Sequence, residues 1–188
     1  MQVHVILTSL FAASVIAHGV IINPPSRKLG PGMTKLCGQT AFDIARGDVT
    51  ASLETVAPNI TAGCPLSLCR GHQFQDTMQV SVFRPGQIVP MNIELNILHG
   101  GPANISIVKT ATNTVIGPPL IFFDDYGNRD LPALPPNNTN FAVTIPTTLA
   151  DTDCRVAGDC VLQWFWTTID AQTYVGCSDF VLFGVPVL

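Results

Sequence analysis

The chain is poor in charge. Asp, Glu, Lys and Arg make up 12% of its 188 residues, about half the share usual in a soluble domain. The 9 basic residues never gather into a run, and the formal net charge is −4. Nucleic acid and anionic membranes are therefore poor partners, and a neutral partner fits better. After residue 17 no apolar run is long enough to span a bilayer, and the C-terminus lacks the apolar tail of a lipid-anchor signal. A long helical period, an internal repeat and a second domain are all missing. So is any pair of acidic residues in a setting that marks a hydrolase acid and base.

Residues 1–17 (MQVHVILTSLFAASVIA) read as a secretory signal peptide, too short to span a membrane and closed by Val15-Ile16-Ala17. The segment carries no Lys or Arg, so its first part is atypical. Secretion has independent support in 6 Cys, all downstream, and in sequons at Asn59, Asn104 and Asn137. An extracellular protein without a membrane anchor is expected, with residues 18–188 as one domain large enough for a real core. Cutting after Ala17 makes His18 the first residue. It then offers a free α-amine and an imidazole, which together can chelate one metal ion. Six Cys allow fifteen pairings. The expected set is Cys64–Cys69 and Cys154–Cys160, closing short loops, with Cys37–Cys177 tying the N-terminal region to the last strand.

What fills the domain is strand signal. Met78–Phe83 alternates, and Ile88–Ile97 puts Ile93, Leu95 and Ile97 on one face with Asn92, Glu94 and Asn96 on the other. Ala103–Val108, Leu120–Phe123, Phe141–Ile145, Val161–Thr167 and Phe180–Phe183 follow. They are separated by turn chemistry at Arg84-Pro85-Gly86, Gly100-Gly101-Pro102, Gly117-Pro118-Pro119 and Pro135-Pro136-Asn137-Asn138. Many short strands with such punctuation predict an all-β fold, an antiparallel immunoglobulin- or fibronectin-like β-sandwich with long loops and disulfides. Gly30–Gln75 is the least regular stretch, with a helical turn expected over Thr40–Arg46.

Only three His follow the signal: His18, His72 and His99. His99 ends an alternating strand beside a Gly turn, a place that exposes an imidazole without crowding; taken alone it reads as a polar loop residue. His72 reads as a structural or surface histidine rather than a substrate contact. Gln172 and Tyr174 point to the same side of a strand-like stretch, which alone describes a packed sandwich corner.

Taken in order, a larger set of blocks resembles the lytic polysaccharide monooxygenases, copper enzymes built on a β-sandwich, and in particular the small fungal type of auxiliary activity family 16. The blocks are His18-Gly19 with Pro24-Pro25-Ser26-Arg27, Cys37-Gly38, Cys64-Pro65-Leu66-Ser67-Leu68-Cys69 and Pro85 to Met91. His99 to Val108, Ala157 to Trp166, Gln172-Thr173-Tyr174 and Cys177 to Phe180 complete them, so that the resemblance runs through nearly all of residues 18–188. It implies one copper ion, bound by His18 through its α-amine and a ring nitrogen and by His99 through a third nitrogen. Tyr174 would take the axial position, and Gln172 would lie beside the site and orient the oxygen co-substrate. Three nitrogens in a T suit Cu(II). The resemblance implies oxidative cleavage of a β-linked polysaccharide, cellulose with C1 oxidation first, driven by an external reductant with H2O2 or O2; apart from the resemblance, nothing in the sequence suggests more than a monomer. Two residues depart from the pattern: Gly100 where a Thr is expected, and Phe165 where Tyr is usual. Gly100 would loosen the loop bearing His99. An alternative is a secreted copper-binding protein of the same fold without cleavage, in which a carboxylate such as Asp179, Asp124 or Asp125 replaces Tyr174. A carbohydrate-binding module of this fold is a further alternative, and it would not need His18 at its N-terminus.

Overall fold

The computed structural model describes residues 19–149 and 153–183. The expected signal peptide and His18 lie outside them. Eight strands form two sheets. β1 (Gly19–Asn23), β3 (Ile88–Leu95) and β6 (Asn140–Thr144) make a three-stranded sheet in the order β1-β3-β6. β2 (Ser81–Phe83), β4 (Ala103–Lys109), β5 (Thr114–Phe123), β7 (Cys160–Thr167) and β8 (Thr173–Leu182) make the second, in the order β2-β8-β7-β4-β5. The fold is the expected immunoglobulin-like β-sandwich. Every pairing is antiparallel except that of the short β2 with β8, which is parallel.

Alternation decides the core. In β3, Val89, Met91 and Ile93 turn inward while Ile88, Pro90 and Glu94 stay exposed. They meet Ile105, Ile107, Leu162, Trp164, Trp166 and Phe180 of the other sheet, with Ile21 and Tyr126 in the same cluster. Each such large apolar side chain contributes about 1.5–3 kcal/mol by leaving water.

Two strands differ from expectation. β5 runs unbroken through Gly117-Pro118-Pro119, read from sequence as a turn. It is the edge strand, so prolines there remove no donor that a neighbour needs. β8 starts at Thr173 rather than Phe180. Its apolar pattern is broken by Ser178 and Asp179, both buried and both bonded: the Ser178 hydroxyl donates to the Pro24 carbonyl, and Asp179 pairs with Arg27. Sequence periodicity counts such residues as solvent-facing.

The irregular stretch before β2 forms four short helices: α1 (Pro31–Cys37), α2 (Gln39–Gly47), α3 (Leu53–Val56) and α4 (Phe74–Thr77). α2 contains the expected helical turn. Met33, Cys37, Ala41, Ala45 and Val56 make a second small core under them.

The disulfides correct two expected pairings. Cys154–Cys160 forms as expected, but the others are Cys37–Cys64 and Cys69–Cys177. α1 delivers Cys37 to Cys64, with Cα atoms 4.7 Å apart. The chain then turns through Cys69, Arg70 and Gly71, all at positive φ, and this turns Cys69 onto β8 instead of back to Cys64. A Cβ on Gly71 would stand 2.9 Å from the Cys37 sulfur, so the approach requires glycine.

Beside Cys177 lies a buried polar cluster. Arg27 grips Asp179 through Nε (2.7 Å) and Nη2 (2.6 Å), with side chains only 5% and 1% exposed. Arg27 Nη1 donates to the His72 carbonyl, and His72 Nδ1 donates to the Arg27 carbonyl. Burial, and then the positive charges of Arg70 and Arg27, push the His72 imidazole down to about 4. His72 is thus structural, as read from sequence. Asp179 has both oxygens committed to Arg27.

Two outcomes follow for stability. An unfolded His72 titrates near 6.5 and the folded one near 4, so the unfolded chain takes up the proton first as pH falls. The contribution is whole above about pH 6.5 and declines as pH drops toward 4, by on the order of 2–3 kcal/mol. His72→Gln should flatten that part of the curve in urea melts taken from pH 7 to 4. Asp179→Ala, which strands the Arg27 charge, should cost about 3–5 kcal/mol, and the double change Arg27→Met with Asp179→Leu should recover most of it.

Candidate metal centre

Of the candidate site residues, His99, Gln172 and Tyr174 are described, and they gather where β4 begins, β7 ends and β8 begins. His99 precedes β4 in a loop fixed by its own backbone. The Gly100 N–H donates to the Gly127 carbonyl (2.9 Å), the Ile169 N–H to the Gly100 carbonyl (3.1 Å) and the Tyr126 N–H to the Gly101 carbonyl (2.8 Å). Gly101 has φ +118°, and a Cβ there would lie 2.4 Å from the Thr167 carbonyl oxygen, so only glycine fits. Gly100 is held on both sides, and the loop is pinned rather than loosened by it.

The imidazole of His99 is buried. It stacks on Tyr174 at 6.0 Å and 25° between planes, and it tilts against Trp166 at 5.9 Å. Nδ1 lies 2.9 Å from Asp170 Oδ2. The carboxylate can only accept, so Nδ1 carries the hydrogen, and in the neutral ring Nε2 carries the lone pair. Arg129 Nη1 stands 3.4 Å from the same oxygen. The hydrogen bond from His99, supported by the Arg129 charge, holds the Asp170 carboxyl below its ordinary range.

Tyr174 faces Trp166 across the β7–β8 ladder and is 1% exposed. Its hydroxyl donates to Gln172 Oε1 at 2.7 Å. Burial, followed by the nearby Glu54 and Asp48 charges, pushes the phenol above its usual value, so it stays protonated. With Oε1 engaged, Gln172 has its NH2 group to offer as donor. Burial pushes the Glu54 carboxyl up, but hydrogen bonds led by the Thr173 N–H outweigh it, and the group stands below its usual value. That bond fastens α3 to the start of β8. Arg70 is lowered to about 10 by burial and stays charged; it donates to the Val49 and Ala51 carbonyls at 2.7 Å each and so fixes the segment before α3.

His99, Tyr174 and Gln172 are therefore neighbours, although 75 residues separate the first from the last. The described chain opens at Gly19, opposite Leu95, with its backbone on the Trp164 indole. Leu95 also approaches Gly127 beside Trp166, so β1 begins at the same end of the sandwich. Asp125 lies beside Gly100 and accepts from Asn128 Nδ2; Asp124 is exposed. Among the described residues no three His, Cys, Asp or Glu gather as a metal cluster. They supply one imidazole nitrogen and one phenol oxygen, donors compatible with several transition metals, copper among them, once further nitrogens join. Sequence reasoning passed over Asp170, Arg129, Glu54 and Arg70. Of these only Asp170 left a signal, as a carboxylate in the turn between the aromatic strand and Tyr174.

No protein-family model matches the chain, and no curated protein matches it by sequence. Solved structures do. An AA10 lytic polysaccharide monooxygenase from Streptomyces lividans is similar over 87% of this chain and 99% of its own, with a TM-score of 0.52 and 14% identity. The cellulose-active lytic polysaccharide monooxygenase CelS2 in complex with copper aligns over 89% and 100%, at TM-score 0.47 and 15% identity. A chitin-binding domain from Burkholderia pseudomallei aligns over 88% and 99%, at TM-score 0.43 and 16% identity. At these identities the first likeness shows the fold: this chain has the sandwich of the lytic polysaccharide monooxygenases.

Proposed function

We propose that the chain is a secreted, copper-dependent oxidoreductase that cleaves a β-linked polysaccharide. The observation that carries this reading is the grouping of His99, Tyr174 and Gln172 at the end of the sandwich where β1 begins. Cellulose, C1 oxidation and auxiliary activity family 16 rest on the sequence resemblance. The signal peptide and cleavage after Ala17 belong to the same proposal. No helix among the described residues is long and apolar enough to cross a membrane, which is compatible with it.

In this reading His18 would hold copper through its amine and a ring nitrogen, and His99 would supply a third nitrogen. Bound copper would supply one-electron redox chemistry with an external reductant and H2O2 or O2, enough to oxidise a sugar C–H bond and so lead to chain scission. The protein supplies the setting. Burial keeps the Tyr174 phenol protonated, so beside the metal it would present a neutral hydroxyl rather than a strong anionic ligand. Its hydroxyl fixes Gln172, whose NH2 group can donate to the oxygen co-substrate. Ile169, 66% exposed and beside Gly100, offers an apolar contact to a polysaccharide lying across this end. A carboxylate in place of Tyr174 would instead favour a copper-holding protein without turnover, and Asp179 is withdrawn onto Arg27.

Protein starting at His18, loaded with copper and given ascorbate and cellulose, should release oxidised oligosaccharides detectable by mass spectrometry. Silence across several polysaccharides, with copper bound, would leave a copper-binding protein and end the enzyme reading. One extra residue before His18 should weaken copper binding more than about tenfold, since loss of a mere supporting contact already costs 10–100-fold. Affinity should also fall as pH drops below about 8, because the metal must displace the α-amine proton. Calorimetric titration of both proteins at pH 6 and 8 checks both points.

A further inference from the structure

We infer that Asp170 is a positioning residue that selects which nitrogen of His99 binds the metal; the inference rests on the copper reading above. Three constraints act on His99. The backbone is fixed by the bonds of Gly100 and Gly101 to residues 126, 127 and 169. The ring plane is set by packing on Tyr174 and Trp166. Neither constraint distinguishes the ring's two nitrogens chemically. Asp170 does: its Oδ2, 2.9 Å from Nδ1, accepts a hydrogen there and leaves Nε2 as the lone-pair donor.

Asp170 is well placed for this task because its own position is determined. It stands in the β7–β8 connection, closed by bonds from Thr168 N–H to the Gln172 carbonyl (2.8 Å) and from Ala171 N–H to the Thr168 carbonyl (3.1 Å). Thr168 Oγ1 accepts from the Gln172 N–H as a further brace. Four residues along, the same hairpin carries Tyr174, so one rigid unit sets both the orientation of His99 and the phenol stacked on it. Arg129 reaches the same Asp170 oxygen at 3.4 Å and completes the order Arg129, Asp170, His99. Partners of this kind on a ligating histidine fix its tautomer and its ring orientation. An ordinary surface ion pair would do neither in a way that the metal could sense, and its contribution to stability would be small.

The first arm of the test needs no copper. In metal-free protein at pH 8 with 15N-labelled histidine, the ring nitrogen shifts of His99 should show hydrogen on Nδ1. Asp170→Asn keeps an accepting oxygen and should preserve that tautomer, whereas Asp170→Ala should shift hydrogen toward Nε2. The second arm is Cu(II) titration: Asp170→Ala should bind about 10–100-fold more weakly with a changed EPR spectrum, and Asp170→Asn should restore most of the affinity. Thermal melts should leave both variants folded, because the Asp170 side chain is 38% exposed. An unchanged tautomer in Asp170→Ala, or unchanged copper affinity, overturns the inference alone. Wild-type protein that binds no copper overturns the copper reading instead.

Discussion

The Arg27–Asp179 ion pair fastens the segment that follows β1 to the last strand, and the rest of the site is arranged around that strand. Such a pair is costly to form. Both charges leave water, and only close two-point geometry with further hydrogen bonds offsets the loss. Here the offset comes from contacts of 2.6 and 2.7 Å, the His72 carbonyl, and the reciprocal bond from His72 to Arg27. The Cys69–Cys177 bond lies two residues from Asp179 and closes the same junction covalently. Stability alone does not require an ion pair at this point. What it gives is register, since a buried carboxylate with one matching guanidinium admits few other alignments of the N-terminal segment on β8.

Register matters because β8 carries Tyr174 five residues before Asp179. β7 then places Trp166 opposite Tyr174, and β4 places Ala103 opposite Trp166. His99 follows from the loop that enters β4. The chemistry of the site is thus tied to the sheet, while its loops are tied to one another by backbone bonds at Gly100, Gly101, Tyr126 and Ile169. A site built in this way loses little conformational entropy when it takes up a ligand or partner. Tyr174 illustrates how packing sets chemistry. The same burial that places it in the aromatic group keeps its proton on, and the proton in turn fixes the amide of Gln172.

Much of this was legible in the sequence. Alternation located β3, apolar runs between turn residues located β4, β6 and β7, and the family resemblance singled out His99 and Tyr174, which the residues alone left as a loop histidine and a packed corner. What stayed hidden was hidden for physical reasons. β5 keeps its prolines because it is an edge. β8 looks polar because Ser178 and Asp179 are buried with partners that only tertiary structure supplies. Two disulfides were mispaired because short loops looked easiest to close, whereas the left-handed turn at Cys69, Arg70 and Gly71 sends Cys69 to β8. Glu54, Arg70, Arg129 and Asp170 act on residues 41 to 119 positions distant or through backbone groups, and no local pattern encodes such contacts.

The proposed function requires a nitrogen ligand set, including the amine of His18 and the ring of His99, to hold one copper ion at this end of the sandwich. Pulsed EPR on the Cu(II)-loaded protein beginning at His18 tests it most directly, with 15N labels confined to histidine. One copper per chain is expected, with coupling to two distinct imidazoles and to the 15N of a coordinated amine. Copper coupled to a single imidazole, or held by oxygen ligands alone, would contradict it.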